Sequence, residues 1–245
     1  MAHAGETGTG DTLTAAASRG RRHKVRSRVG RLRATHSYRL VLALIAAAFI
    51  FSSLARDGAW TAGVLLVLQA ATLAAAVWTS GLARADSRAM VALVAAAAVA
   101  AVALAISGGD TLVALVGLAS GVMVVATIVS IAIGVVDQHE VNAQSITGAI
   151  CIYILLGMLF VFLYGATAVL GSGDFFAQGT DGTRSLRLYF SFVTLATLGY
   201  GDYTPAGNLG HTLAVLEALI GQLYLVTVLA LLVSRLRGTD GARRG

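Results

Sequence analysis

Six long apolar runs leave this chain's backbone few options. They span Leu40 to Ala55, Trp60 to Thr79, Ala89 to Ile106, Thr111 to Val136, Ile146 to Leu170 and His211 to Ser234. Inside a bilayer every backbone N–H and C=O needs a partner within the protein, so such runs fold as helices. A span takes ~20 residues. The first run reaches that length by extending through Tyr38, and the fourth is long enough to tilt. Trp60 and Trp78 flank the second run, where interfacial anchors belong. With 57% hydrophobic and 12% charged residues, the composition is that of an integral membrane protein. The single cysteine, Cys151, excludes a disulfide within the chain.

The net charge of +6 is carried by arginines near the ends of the chain. Residues 1–36 are polar, with a Gly/Thr/Ala-rich first half expected to be disordered. Its second half carries Arg19, Arg21, Arg22, Lys24, Arg26, Arg28, Arg31 and Arg33. A topology signal suffices to explain them. Attraction to anionic lipid headgroups, worth ~1 kcal/mol per basic residue near the surface, is the second reading. Nucleic-acid binding is the third and is not expected. The lead is too long and too polar for a cleaved signal peptide. With the N-terminus in the cytoplasm, alternating spans put fifteen Lys/Arg inside against three outside, Arg56, Arg184 and Arg187. Both termini are therefore expected in the cytoplasm, with the chain in the plasma membrane.

The fourth run contains no Arg or Lys, and the second and third carry none within the membrane. A voltage sensor needs charge there, because the field acts on it at ~2.3 kcal/mol per 100 mV. Weak voltage dependence is the expectation. The Ala and Gly content of these spans suits close helix packing rather than a lipid or ligand sensor.

Between the last two runs lie a Gly-rich segment (Gly171 to Thr183), a short helix expected over Ser185 to Ala196, and the stretch Thr197-Leu198-Gly199-Tyr200-Gly201-Asp202. Irregular backbone at membrane depth must be buried in protein or line water. Glycines two apart permit alternating handedness, since only Gly takes positive φ without penalty. Successive carbonyls then face one line, with the Thr197 hydroxyl as a further rung. Several copies around an axis would give rings of oxygens that replace the water shell of K+.

This stretch resembles the potassium-channel signature Thr-Val-Gly-Tyr-Gly-Asp, with Leu198 in place of Val. The similarity extends through Tyr189 to Thr194 and Leu216 to Tyr224, covering roughly residues 140–236, and points to prokaryotic potassium channels. It implies an all-α membrane protein: six transmembrane helices, with a re-entrant pore helix and selectivity-filter loop between helices five and six. It implies K+ sites at Thr197, Leu198, Gly199 and Tyr200, with Gly201 and Asp202 completing the filter at its outer mouth. Tyr189 and Phe190 stand where the family places filter-bracing aromatics, and Tyr200 is expected to turn into that layer. Val193 is apolar where some members carry a buried acid. Gly221 is the candidate gating hinge, although Gly is also common in membrane helices for close packing.

Glu217 is the one acidic side chain in the sixth run, and a membrane-buried acid is functional by default. It is expected to bond to pore-helix hydroxyls such as Thr194, or to backbone behind the filter, with Gln222 in the same network. Eleven residues after Ser234 leave no room for a cytoplasmic regulatory domain.

The organisation expected is a basic tail (1–36), a four-helix membrane unit without gating charges (37–137), a pore domain (138–236) and a short tail (237–245). One signature per chain requires a homotetramer. The function implied is passive K+ conduction, with no enzymatic chemistry and no cofactor beyond the permeant ion. The rivals are a weakly selective cation channel, a non-conducting sensor or scaffold subunit, and a secondary transporter. The last normally shows matching repeats, which are absent here.

Overall fold

The computed structural model describes residues 37–80, 87–107, 110–136, 143–171 and 173–241. The basic tail over 1–36, Arg84, Arg243 and Arg244 lie outside them. Among the described residues the regular structure is helical: α1 (Ser37–Leu54), α2 (Ala59–Thr79), α3 (Ser87–Ser107), α4 (Asp110–Val136), α5 (Ala143–Leu170), α6 (Arg184–Leu195) and α7 (Asn208–Gly241). Each apolar run became one helix. Four stretches are long and apolar enough to cross a membrane: Ala59–Thr79, Val116–Val136, Gln144–Leu170 and Asn208–Val228. Tyr38–Leu54 is apolar but shorter.

Helix α1 buries a stripe of Tyr38, Val41, Ile45, Ala48 and Ser52, the three-and-four spacing of one helical face. That stripe meets Leu65, Ala75 and Ala76 of α2, Val124 and Ile131 of α4, and Cys151, Leu155 and Met158 of α5 in one cluster. A second cluster joins Ala62, Leu66 and Ala70 of α2 to Ala97 of α3 and Val116 of α4. Its alanines let the backbones approach closely, as membrane packing favours. The chain then passes from α4 to α5, and α5 supports both α6 and α7.

Hydroxyls on these apolar helices turn back on their own backbone. Thr72 donates to the Leu68 carbonyl and Thr127 to that of Met123, both at 2.7 Å. Such bonds satisfy the hydroxyl where lipid offers no partner.

The third cluster is aromatic and takes in the segment between α5 and α6. Phe160 and Tyr164 of α5 pack with Phe175, Phe176 and Phe190, with edge-on contacts such as Phe175–Phe176 at 4.8 Å and Phe176–Phe190 at 5.4 Å. Ring edges against faces are the favoured arrangement. The segment is pinned to the chain beyond the signature: Ala177 N–H donates to the Thr204 carbonyl and Ala206 N–H to that of Phe175, both at 2.8 Å.

Candidate functional site

Helix α6 begins at a capped end. The Thr183 hydroxyl accepts from Leu186 N–H at 3.1 Å. Asp57, in the α1–α2 turn, accepts from Arg184 N–H at 2.9 Å. The Ser185 hydroxyl donates to the Ser53 carbonyl at 3.0 Å. A carboxylate at a helix N-terminus satisfies an orphan donor and the helix dipole together. Burial pushes the Arg184 and Arg187 guanidiniums below their usual value, and the Asp57 carboxylate opposes that shift.

The other end of α6 hands over directly to the signature. Thr197 N–H donates to the Thr194 carbonyl at 2.9 Å, and Leu198 N–H to the Val193 carbonyl at 2.8 Å. The first amides of the loop thus cap the last carbonyls of the helix. Positive φ recurs at every second residue: Thr197 (55°), Gly199 (55°) and Gly201 (77°). The glycines behave as expected. Thr197 extends the alternation to a residue with a Cβ, at a cost of about 1–2 kcal/mol. Nothing in a threonine announces that conformation. No hydrogen bond among the described residues is made to the carbonyls of residues 197–201, so they remain available as acceptors.

Tyr200 leaves this line and stacks on Tyr189, with ring centroids 6.5 Å apart and planes 13° apart. The Tyr189 hydroxyl donates to Asp202 Oδ2 at 2.7 Å. That bond to a carboxylate is the main reason the hydroxyl is pushed up to about 12, with minor help from burial and from Asp202's charge. Asp202 Oδ1 also accepts from Tyr203 N–H at 3.1 Å. Phe190 takes the other side of α6, inside the aromatic cluster. It supports the pore helix from behind and does not meet Tyr200.

Sequence reasoning missed Gln178. Its Nε2 donates to the Asp202 carbonyl at 2.9 Å and its Oε1 accepts from Thr204 N–H at 3.3 Å. One side-chain amide there does the work of a paired strand.

Glu217 is fully buried. Its Oε2 accepts from the Tyr164 hydroxyl and its Oε1 from the Ser191 hydroxyl at 2.5 Å. Ser191 Oγ also lies 2.8 Å from the Gly157 carbonyl. One carboxyl thus joins α5, α6 and α7. The pore-helix hydroxyl is Ser191, one turn earlier than the expected Thr194, which contributes its carbonyl to the loop instead. The reason is the next turn of α7. Gly221 lies against the end of α6, where a Cβ would fall on the Leu195 carbonyl oxygen and 2.8 Å from Leu195 Cδ1. Glu217, one turn outward, meets α6 one turn earlier. Gln222 is exposed and takes no part in these bonds. Tyr153 on α5 reaches the Leu195 carbonyl at 3.5 Å, and Tyr224 on α7 donates to the Ala149 carbonyl at 2.7 Å.

Residues 149–238 match the ion-channel family. An inward rectifier potassium channel of Paramagnetospirillum magnetotacticum, Kirbac3.1, is 33% identical over 103 residues, 42% of this chain and 35% of that protein. Probable potassium channel protein 2 of Methanocaldococcus jannaschii is 46% identical over 46 residues, 18% of this chain and 13% of that protein. The pore half thus matches the ion-channel family, and both relatives it resembles are named potassium channels. The match spans about a third of the first relative's length and less of the second's. No solved structure matches the chain. In this half, α5 and α7 both pack against α6, and the signature follows α6.

Proposed function

We propose that four copies of this chain form a potassium-selective channel that conducts K+ passively across the plasma membrane. The observation that carries this reading is the alternating backbone of residues 197–201. Its amides at 197 and 198 are committed to α6, and its carbonyls are free of protein partners. Oxygens from Thr197, Leu198, Gly199 and Tyr200 in fourfold rings would replace the hydration shell of K+ as permeating substrate. Glu217, Tyr189, Phe190 and Thr194 hold the filter's supports, and Asp202 stands at its mouth. Transport needs no covalent chemistry and no cofactor.

The surface of α7 supports assembly. The Asn208–Val228 stretch is 11% buried, against 50% for Ala59–Thr79. Val215, Leu216 and Leu219 of α7 are exposed in the single chain, as are Leu198 and Tyr200 of the signature. In the tetramer neighbouring copies cover this side. All six long helices then span the membrane, with both termini cytoplasmic and the basic tail against anionic lipid rather than nucleic acid.

K+ flux into liposomes, with oligomer mass measured on the same sample, tests the reading. Wild type should be a tetramer that passes K+ and rejects Na+. Gly199→Ala should lose the flux, because a Cβ at φ 55° costs about 1–2 kcal/mol at each subunit. Equal Na+ passage would favour a weakly selective cation channel. No flux under any condition would favour a sensor or scaffold subunit.

A further inference from the structure

Gln69, on α2, is only 5% exposed, yet neither its Oε1 nor its Nε2 has a hydrogen-bond partner. Native interiors rarely leave both ends of an amide unpaired. The side chain lies between two small chambers. Thr72 and Thr127 line the first, with Ile45 and Leu155; Ser52 and Arg184 line the second, with Met158 and Phe162. Each holds about 10 Å³, close to the room one water needs.

The hydrogen supply around the two chambers differs. In the first, both threonine hydroxyls give their only hydrogen to backbone carbonyls of their own helices. Their oxygens keep lone pairs and offer acceptors only. The second is lined by Arg184, whose guanidinium offers donors only, and by Ser52. An amide has a donor end and an acceptor end, so it suits this pair of chambers in one orientation.

We propose that Gln69 organises a two-water site between the leading helices and the start of the pore helix. The first water accepts from Nε2 and donates to Thr72 Oγ1 and Thr127 Oγ1. The second accepts from Arg184 and donates to Oε1 and to Ser52 Oγ. Each then makes three hydrogen bonds, the usual number for a buried water. A bare cation is excluded from the second chamber by the charge of Arg184. The two waters tie together α1, α2, α4 and α6, a connection no direct side-chain bond of Gln69 provides.

The site does not depend on ion conduction and is tested without it. The full chain, labelled with 15N-glutamine and reconstituted in lipid, is measured by water-edited solid-state NMR. The Gln69 signal is the side-chain amide resonance lost in Gln69→Leu. It should receive magnetisation from trapped water in wild type, and Thr127→Val should remove most of that transfer. Should Gln69→Leu not fold, the amide signal altered by Thr127→Val identifies the residue. An amide that water magnetisation never reaches, or a transfer that Thr127→Val leaves unchanged, overturns the proposal.

Discussion

Glu217 is the residue on which most of the pore half converges. Removing it in Glu217→Ala strands the Tyr164 hydroxyl, which has no other acceptor, while Ser191 keeps the Gly157 carbonyl. A stranded buried donor costs ~1–3 kcal/mol, and the lost side-chain volume adds to that. The alanine variant should therefore unfold at a clearly lower temperature in detergent. Glu217→Gln, which keeps the shape and an acceptor, should unfold close to wild type. Gly221 separates two readings of one glycine. Its contact with Leu195 predicts that Gly221→Ala destabilises by roughly 1–3 kcal/mol through overpacking. A pure hinge role predicts altered opening with unchanged thermal stability, and measuring both quantities decides between them. At the outer mouth, the Tyr189 hydroxyl has its proton held more tightly than in a free tyrosine, up to about 12. The sign follows: its bond to Asp202 contributes fully below the ordinary value of 10.0 and is lost as pH rises through about 12. Conduction should weaken over that alkaline window in wild type. Tyr189→Phe, which lacks the bond at every pH, should show no such step.

Helix α6 is held from three directions. Its N-terminal end is fixed by Asp57 of the α1–α2 turn and by Ser53 at the end of α1. Its middle meets α5 and α7 through Ser191 and Glu217. Its inner end carries the signature amides on the Val193 and Thr194 carbonyls. Phe192 adds an edge-on contact with Phe49 of α1 at 5.0 Å. The leading helices therefore have a direct mechanical part in the pore half. Asp57→Ala should cost about 1 kcal/mol, the usual loss for an N-terminal cap. Because the cap belongs to the helix that carries the filter, the variant should also lower the K+/Na+ permeability ratio. An unchanged ratio with lowered stability would confine Asp57 to folding.

For the whole molecule, the absence of Arg and Lys from the Thr111–Val136 run bears on how the proposed channel would respond to voltage. With no charge to move in that helix, the field has little to act on. The conductance–voltage relation of the reconstituted protein should be shallow. A steep curve carrying several gating charges would contradict this. The exposed apolar side of α7 belongs to the same scale, because in the proposed assembly other copies of the chain cover it. Oligomer mass in detergent should fall when Leu216 and Leu219, both exposed in the single chain, are replaced together by Asn.

Local pattern decided a great deal. Long apolar runs have no way to satisfy their backbone in lipid other than as helices, so each run became a helix within a few residues of its bounds, except that α7 continues past Ser234 to Gly241. The spacing of Gly199 and Gly201 fixed the handedness of the signature, because glycine alone takes that conformation freely. Contacts between distant parts of the chain were beyond such reasoning. Which hydroxyl meets Glu217 depends on how far α7 slides along α6, and the Gly221–Leu195 approach set that register. That Asp57 caps a helix starting 127 residues later, and that Gln178 braces Asp202 and Thr204 from the segment before α6, follows from chain geometry rather than from either residue's neighbours in sequence. Thr197 took a left-handed conformation because the α6 carbonyls captured its amide and that of Leu198. Sequence periodicity reports which face of an element is apolar. Only packing decides what that face meets.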